Sequence, residues 1–270
     1  MALERDPGGD TWRLTAPVRG RADADEVRSL LNRLENGKAA AFVAESAGES
    51  ELAEYGLAPP QTLELTLLVG EERAEKRLRL GAAAPDGKYY GRDMSAPQVF
   101  TVDTLLVQDV NKPLADLRDR KMFHFARSEV DRITLERPDA ARIVALKDTA
   151  DVWSVQEPQP LPAKSWKLSG LLTDLENMEA AGFAAEADTA AVATAALLEV
   201  TLFAGEEPLA QGRFARAAPD TMFVASAGSS VVYLVEDPDY DSVDLALEDL
   251  ADTVEAQIAP AAEDSAIGGP

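Results

Sequence analysis

The chain has 270 residues, of which 46% are hydrophobic and 27% charged, a composition that excludes disorder of the whole chain and allows one large or two modest domains. Its 48 Asp and Glu residues against 26 Lys and Arg give a formal charge of −22, so nucleic acid is not an expected partner because the protein's field repels a polyanion. The absence of cysteine excludes disulfides and thiolate sites.

The N-terminal stretch is predicted to form a short strand over residues 11–14, followed by an amphipathic helix. Asp23 with Glu26 three residues later is the aspartate form of a capping box, which places the start of the helix there. Apolar residues recur at helical spacing over residues 27–34, and Gly37 is placed to cap the C-terminus.

Short strands joined by turns are predicted after this helix. Residues 62–69 are rich in strand formers, and residues 77–80 alternate with period two until Gly81, which is expected to end that strand. Two further strands are predicted over residues 88–91 and 98–102. A strand, a helix and then an antiparallel meander favour the α+β class, because no strand–helix alternation is sustained.

The same pattern recurs 141 positions later in the chain. Pro162 is expected to begin the second helix, whose leucines repeat the stripe of the first, and strands are predicted over residues 197–203, 221–225 and 231–235. Self-similarity at a fixed spacing indicates that one supersecondary unit was duplicated. The matching pairs are Trp12 and Trp153, Pro17 and Pro158, Leu30 and Leu171, Leu31 and Leu172, Leu34 and Leu175, Glu35 and Glu176, Asn36 and Asn177, and Phe42 and Phe183.

Two strands, over residues 130–135 and 143–146, are predicted ahead of Trp153. Only Ala2 and Leu3 stand at the corresponding place ahead of Trp12. We therefore expect that the natural protein extends further toward its N-terminus and that about 20 residues of the first repeat were trimmed away.

The predicted fold is α+β, with two tandem repeats, each a strand, an amphipathic helix and an antiparallel β-meander. The first repeat unit is expected to span residues 1–109 and to be trimmed at its N-terminus. A connector over 110–129 follows, then the second repeat unit over 130–250 and a flexible tail over 251–270.

The sequence predicts no catalytic, cofactor-binding or metal-binding residues, no cofactor and no enzymatic activity. His124 is the only histidine, and with no cysteine to join it we expect a packed or surface imidazole. The run from Asp237 to Asp241 lacks the glycine and the distal glutamate of a calcium loop and is expected to be a solvated turn. Adjacent carboxylates such as Glu71 and Glu72 arise by chance among 48 acidic residues.

Two places are candidates for docking a protein partner. The densest charged cluster in the connector consists of Arg118, Asp119 and Arg120. Instead of docking a partner, these residues could form salt bridges that fix one unit against the other. Tyr89 and Tyr90 are adjacent, so they must point to opposite faces of a strand, and one of them could contact a partner. The acidity of the chain serves either solubility or the docking of a basic partner.

An ordered set of short motifs resembles the bacterial family called domain of unknown function 4340. The set begins with Trp-x-Leu-x-x-Pro at Trp12 to Pro17, continues with Ala22-Asp23 and Tyr55-Gly56-Leu57, and ends with the run Asp116-Leu117-Arg118-Asp119. The resemblance covers residues 10 to 250, as two tandem copies. It implies a membrane-anchored, extracytoplasmic protein encoded beside ABC transporter components, including those related to gliding motility, and it implies no known catalytic residues.

The function expected from these observations is that of a noncatalytic extracytoplasmic interaction or scaffold module, accessory to an ABC-type transport or surface-assembly system. Its expected partners are proteins, among them membrane transporter components, and it would contact the membrane only through a missing N-terminal anchor in the inner membrane. The alternatives are a carboxylate-dependent hydrolase of envelope polysaccharide and a solute-binding protein.

Overall fold

Helices and antiparallel sheets are both present in the computed structural model, which confirms the α+β class. The structure describes residues 1–252 apart from 8, 61, 185–191, 193, 228 and 230. The predicted tail, 251–270, therefore lies outside the described residues except for Ala251 and Asp252. Within the described part of the chain, no helix has the length and apolar character that crossing a membrane requires.

The chain divides into two units. Unit 1 comprises Met1–Pro17 and Arg21–Arg118, and unit 2 comprises Val18–Gly20 and the residues from Asp119 onward. The predicted boundaries of the repeats, at 109 and 130, are sequence-based and stay predictions.

Unit 1 begins with a small sheet and the first long helix. Strands β1 (Ala2–Arg5), β2 (Trp12–Ala16) and β3 (Gly20–Arg21) pair in that order, and helix α1 spans Ala24–Asn36. The Asp23 carboxylate accepts hydrogen bonds from the backbone N–H groups of the first helical turn, as predicted, and satisfies donors that have no partner within the helix. The Glu26 half of the predicted capping box does not form, because the backbone N–H of Asp23 donates to the carbonyl of Leu117 and Glu26 forms an ion pair with Lys112.

The second sheet of unit 1 is the predicted meander, extended by one strand. Its order is β4-β8-β7-β6-β5, with all neighbours antiparallel. The elements are β4 (Ala41–Ala44), α2 (Glu49–Glu54), β5 (Leu63–Val69), β6 (Ala74–Ala83), β7 (Tyr89–Asp93), β8 (Val99–Val102) and α3 (Thr104–Val110).

Gly81 does not end strand β6, contrary to the prediction, because β6 continues to Ala83. A Cβ atom on Gly81 would lie 2.2 Å from the carbonyl oxygen of Tyr55, and that same oxygen accepts a hydrogen bond from the backbone N–H of Ala82. Glycine stands here because another backbone segment approaches β6 closely, which is a second common reason for glycine inside a strand.

Unit 2 holds one large sheet with helices packed on it. The strand order is β12-β11-β10-β9-β14-β15-β16-β17-β13. The elements are β9 (Arg132–Glu136), β10 (Ile143–Lys147), β11 (Trp153–Glu157), β12 (Leu161–Pro162), α4 (Ser165–Asn177), β13 (Gly182–Phe183), β14 (Ala196–Ala204), β15 (Glu207–Ala218), β16 (Thr221–Ser226), β17 (Val232–Glu236), α5 (Asp237–Val243) and α6 (Leu247–Leu250).

Two sequence-based predictions for unit 2 are wrong. Pro162 does not begin helix α4, since it belongs to β12 and the helix starts three residues later at Ser165. Residues 237–241 form the first turns of α5 instead of a solvated turn, because Tyr240 and Val243 anchor the segment in the core. The proline at the second residue of α5 is compatible with a helix start, since no intrahelical bond is lost there.

Elements recur at matching positions in the two units. The elements that begin at residues 12, 20, 24 and 41 (β2, β3, α1 and β4) have counterparts that begin at 153, 161, 165 and 182. The strand order β4-β8-β7-β6-β5 also parallels β13-β17-β16-β15-β14. The duplication itself stays a prediction, and residues at matching positions of these elements can be compared between the two units.

The cores of the two units differ in extent. In unit 2 the larger of the two clusters of buried side chains among the described residues extends from Met122 to Leu250 and includes all four leucines of the α4 stripe: Leu168, Leu171, Leu172 and Leu175. In unit 1 the two clusters of buried residues have only three described members each. One contains Leu14, Ala22 and Val27, and the other contains Leu80, Val102 and Leu106.

Truncation of paired leucines should measure this difference. Leu172 is buried, so Leu172→Ala should lower the free energy of unfolding of unit 2 by about 2–5 kcal/mol through lost burial and a cavity. Its counterpart Leu31 is half-buried, so Leu31→Ala should cost clearly less. Urea unfolding followed by circular dichroism, with amide exchange to assign the loss to a unit, checks both values. Equal costs would contradict the comparison.

Candidate functional site

The two candidate tyrosines lie on opposite faces of β7. Tyr89 packs against the cluster of Leu80, Val102 and Leu106, so its ring is part of the core of unit 1. The ring of Tyr90 lies on the other face, with its centroid 4.6 Å from that of Tyr55. Both are half-buried, and a docking role for Tyr89 and Tyr90 stays a prediction.

The charged candidates lie at the junction between the two units along the chain. Arg118, in unit 1, forms an isolated β-bridge with Ala22. In unit 2, the Asp119 carboxylate accepts a hydrogen bond from the backbone N–H of Lys121 at 2.9 Å, and its other oxygen lies 3.1 Å from Nε2 of His124.

Arg120 has an exposed side chain, while its backbone carbonyl accepts a hydrogen bond from the N–H of Ala180 at 2.9 Å. The sequence did not anticipate the pairing of Asp119 with His124, because it depends on the bend of the chain between them. A docking role for Arg118, Asp119 and Arg120 stays a prediction.

Two of the carboxylates that the sequence analysis considered serve structural contacts. Asp23 caps α1, and Asp237 forms an ion pair with Arg216 across the start of α5. Among the residues that the structure describes, no group of three or more His, Cys, Asp or Glu side chains has the arrangement of a metal site.

A shallow groove of about 250 Å³ lies beside an ion pair of unit 2. Arg137, which lines it, donates through Nε and Nη2 to one Asp244 oxygen at 2.8 and 2.6 Å, and through Nη2 to the carbonyl of Leu245 at 2.8 Å. Burial is the main reason why the pKa of Tyr240 lies well above its ordinary value, and its hydrogen bond to Asp244 adds to the shift. These contacts hold helix α5 against the sheet.

A second groove, of about 180 Å³, lies between helices α4 and α5. Trp166 forms one wall, with 68% of its surface exposed, and Lys167, Gly170, Asp174 and Ser242 contribute to the rest. The ammonium of Lys167 lies 5.2 Å from the centroid of the Trp166 ring. An exposed tryptophan on a helix whose opposite face is fully buried is an available contact surface.

The sequence-based prediction missed Trp166, although a signal was present. At a spacing of 141 its counterpart in the first repeat is Asp25, an exposed residue in the first turn of α1. A large aromatic residue at a position that is polar in the other copy is not explained by the packing that the two copies share.

A large part of the chain matches a known protein family. Residues 12–199 match the family model described as domain of unknown function (DUF4340). No curated protein and no solved structure matches the chain.

The buried tyrosine predicts a pH dependence of stability. Because the pKa of Tyr240 is raised in the folded state above the ordinary value of 10.0, the unfolded state loses the phenolic proton first as the pH rises. The stabilisation that the raised pKa of Tyr240 gives the folded state is present below pH 10.0 and is lost progressively above it. Tyr240→Phe keeps the ring against Phe214, 5.7 Å away between centroids, and removes the proton.

The wild type should therefore lose stability more steeply than Tyr240→Phe when urea unfolding is compared between pH ~8 and pH ~11. The difference between the two proteins isolates Tyr240 from the lysines and other tyrosines that titrate in the same range. Parallel curves for the two proteins would refute the assignment.

Proposed function

Because the chain belongs to the DUF4340 family, we propose that it is a noncatalytic protein-binding module accessory to an ABC-type transport or surface-assembly system. In this proposal the module lies on the extracytoplasmic side, and the full-length protein is anchored in the inner membrane by a segment outside this chain. The family resemblance supports the location and the association, and the surface of unit 2 supports protein binding.

The observation that carries the proposal is the exposed ring of Trp166 beside the groove between α4 and α5. Interface hot spots are enriched in tryptophan, because the ring buries a large apolar area at a low cost in conformational entropy. The helix that carries the ring is held in place, since the leucines on the opposite face of α4 are buried. A rigid aromatic side chain on a helix surface is suited to packing against an apolar side chain of a partner.

The sequence that follows Lys167 is strongly acidic, and this charge suggests the chemistry of the partner. After Lys167 the sequence contains 20 Asp and Glu residues and only two basic ones, Arg213 and Arg216. Arg216 is paired with Asp237 and Arg213 with Glu199, so both are already engaged. A basic protein surface is therefore the complementary partner, and its association should weaken as salt screens the attraction.

The dimensions and linings of the two grooves do not favour the alternatives. Volumes of about 250 and 180 Å³ are below the roughly 300–1,000 Å³ typical of small-molecule sites. Glycoside hydrolysis uses two carboxyl groups across the scissile bond, whereas the lining of each groove contains one, Glu248 in the first and Asp174 in the second. Release of reducing ends from envelope polysaccharide by the purified chain would favour the hydrolase instead.

Removal of the ring should reduce binding. When the full-length protein is purified from membranes in mild detergent, Trp166→Ala should lower the recovery of ABC transporter components, quantified by mass spectrometry, by roughly tenfold or more. Trp166→Phe should retain part of the binding because an aromatic ring remains.

Val152→Ala is the matched control. Val152 is an exposed apolar residue of unit 2 that lies outside both grooves, and its truncation should leave recovery unchanged. Recovery should also fall as the salt concentration is raised. The proposal fails if the wild type recovers no transporter component, or if Trp166→Ala recovers as much as the wild type.

A further inference from the structure

We propose that unit 1 contains an open strand site between β5 and β1, and that its occupant is an extended strand that forms a hairpin with β1 and has the apolar-Thr-apolar pattern of β9. The site lies in unit 1 and does not rest on the Trp166 surface or on the function proposed for it. Four observations carry it: the role of β9 in unit 2, the free edges in unit 1, the residues along those edges and the proximity of the two edges.

Strand β9 joins the two halves of the unit 2 sheet. It pairs antiparallel with β10 on one edge, placing Leu135 opposite Ile143, and with β14 on the other, placing Leu135 opposite Val200 and Ile133 opposite Leu202. Ile133 and Leu135 are both 1% exposed. One short strand therefore makes a single sheet out of two parts, and both of its inward side chains belong to the larger core cluster of unit 2.

The corresponding position in unit 1 is unfilled among the described residues. Strand β5 stands at the end of its sheet and pairs only with β6, and β1 stands at the end of the small sheet and pairs only with β2. β1 is the counterpart of β10, because Leu3 pairs with Leu14 as Ala145 pairs with Val155, with a register shift just before each pair.

Residues paired across successive strands identify which residues of β5 face this site. Starting from Phe42 of β4, each residue pairs with the next in the series Phe42, Phe100, Gly91, Leu80, Leu63. Starting from Phe183, the counterpart of Phe42, the series in unit 2 is Phe183, Tyr233, Val224, Phe214, Leu198. Leu63 thus corresponds to Leu198.

The rest of β5 follows in the same register, in which Thr66 corresponds to Thr201. Leu65 and Leu67 then correspond to Val200 and Leu202, the two residues that face Leu135 and Ile133 of β9.

Burial differs sharply between these matched residues. Val200 and Leu202 are each 1% exposed, whereas Leu65 and Leu67 are only half-buried. A strand with apolar side chains opposite Leu65 and Leu67 would cover them and would hydrogen-bond the free backbone groups of β5, as in recognition by β-strand addition.

The two free edges lie near each other. Glu4 of β1 and Arg73 of the β5–β6 turn form an ion pair at 3.6 Å. Both side chains are about 60% exposed, so the pair contributes little to stability and is no obstacle to an incoming strand.

A direct test supplies the strand. Residues 130–142 are fused directly in front of Met1, which stands at the position of Ile143 in the β9–β10 hairpin. The control fusion carries Ile133→Asp and Leu135→Asp in the added copy only. Hydrogen–deuterium exchange is read on β5, whose sequence occurs once in the chain, and the exchange of β14 verifies that unit 2 remains folded.

The fusion should slow the exchange of the free β5 amides at least about tenfold relative to the native chain, and the control fusion should not. Equal exchange in the fused and native chains, or equal protection by the control fusion, would overturn the proposal. Protection of β5 in the native chain that grows with protein concentration would also overturn it, because it would identify a second copy as the occupant.

Discussion

The pairing of one short strand on both of its edges is the interaction on which the architecture of unit 2 depends. Strand β9 is five residues long, yet its backbone connects the β10–β12 ribbon to the meander, and its two inward side chains link the parts of the core. The helix α4 can then bury four leucines against a continuous surface. In unit 1, which lacks such a strand among its described residues, a similar stripe leaves Leu31 and Leu34 of α1 only half-buried.

The elements that depend on local sequence were predictable. The leucine spacing of both long helices and the capping role of Asp23 follow from interactions within a few residues. The α+β class followed from the order of these elements.

Features that depend on distant segments were not predictable in the same way. The role of Gly81 is set by the backbone of Tyr55, 26 positions away, and the helical form of residues 237–243 is set by the core under Tyr240. The pairing of β9 with β14 joins segments more than 60 residues apart. Among the candidate docking residues, Tyr89 was found to pack against Leu80, Val102 and Leu106, contacts that no local pattern specifies.

The three tryptophans of the chain stand in three different surroundings. Trp153 is buried in unit 2, Trp12 is half-buried in unit 1, and Trp166 is open to solvent. A neutral quencher such as acrylamide should therefore quench the fluorescence of Trp166 most and that of Trp153 least. Iodide would be kept away by the negative charge of the protein. Intrinsic fluorescence thus supplies a label-free reporter at the candidate binding surface and at the core of each unit.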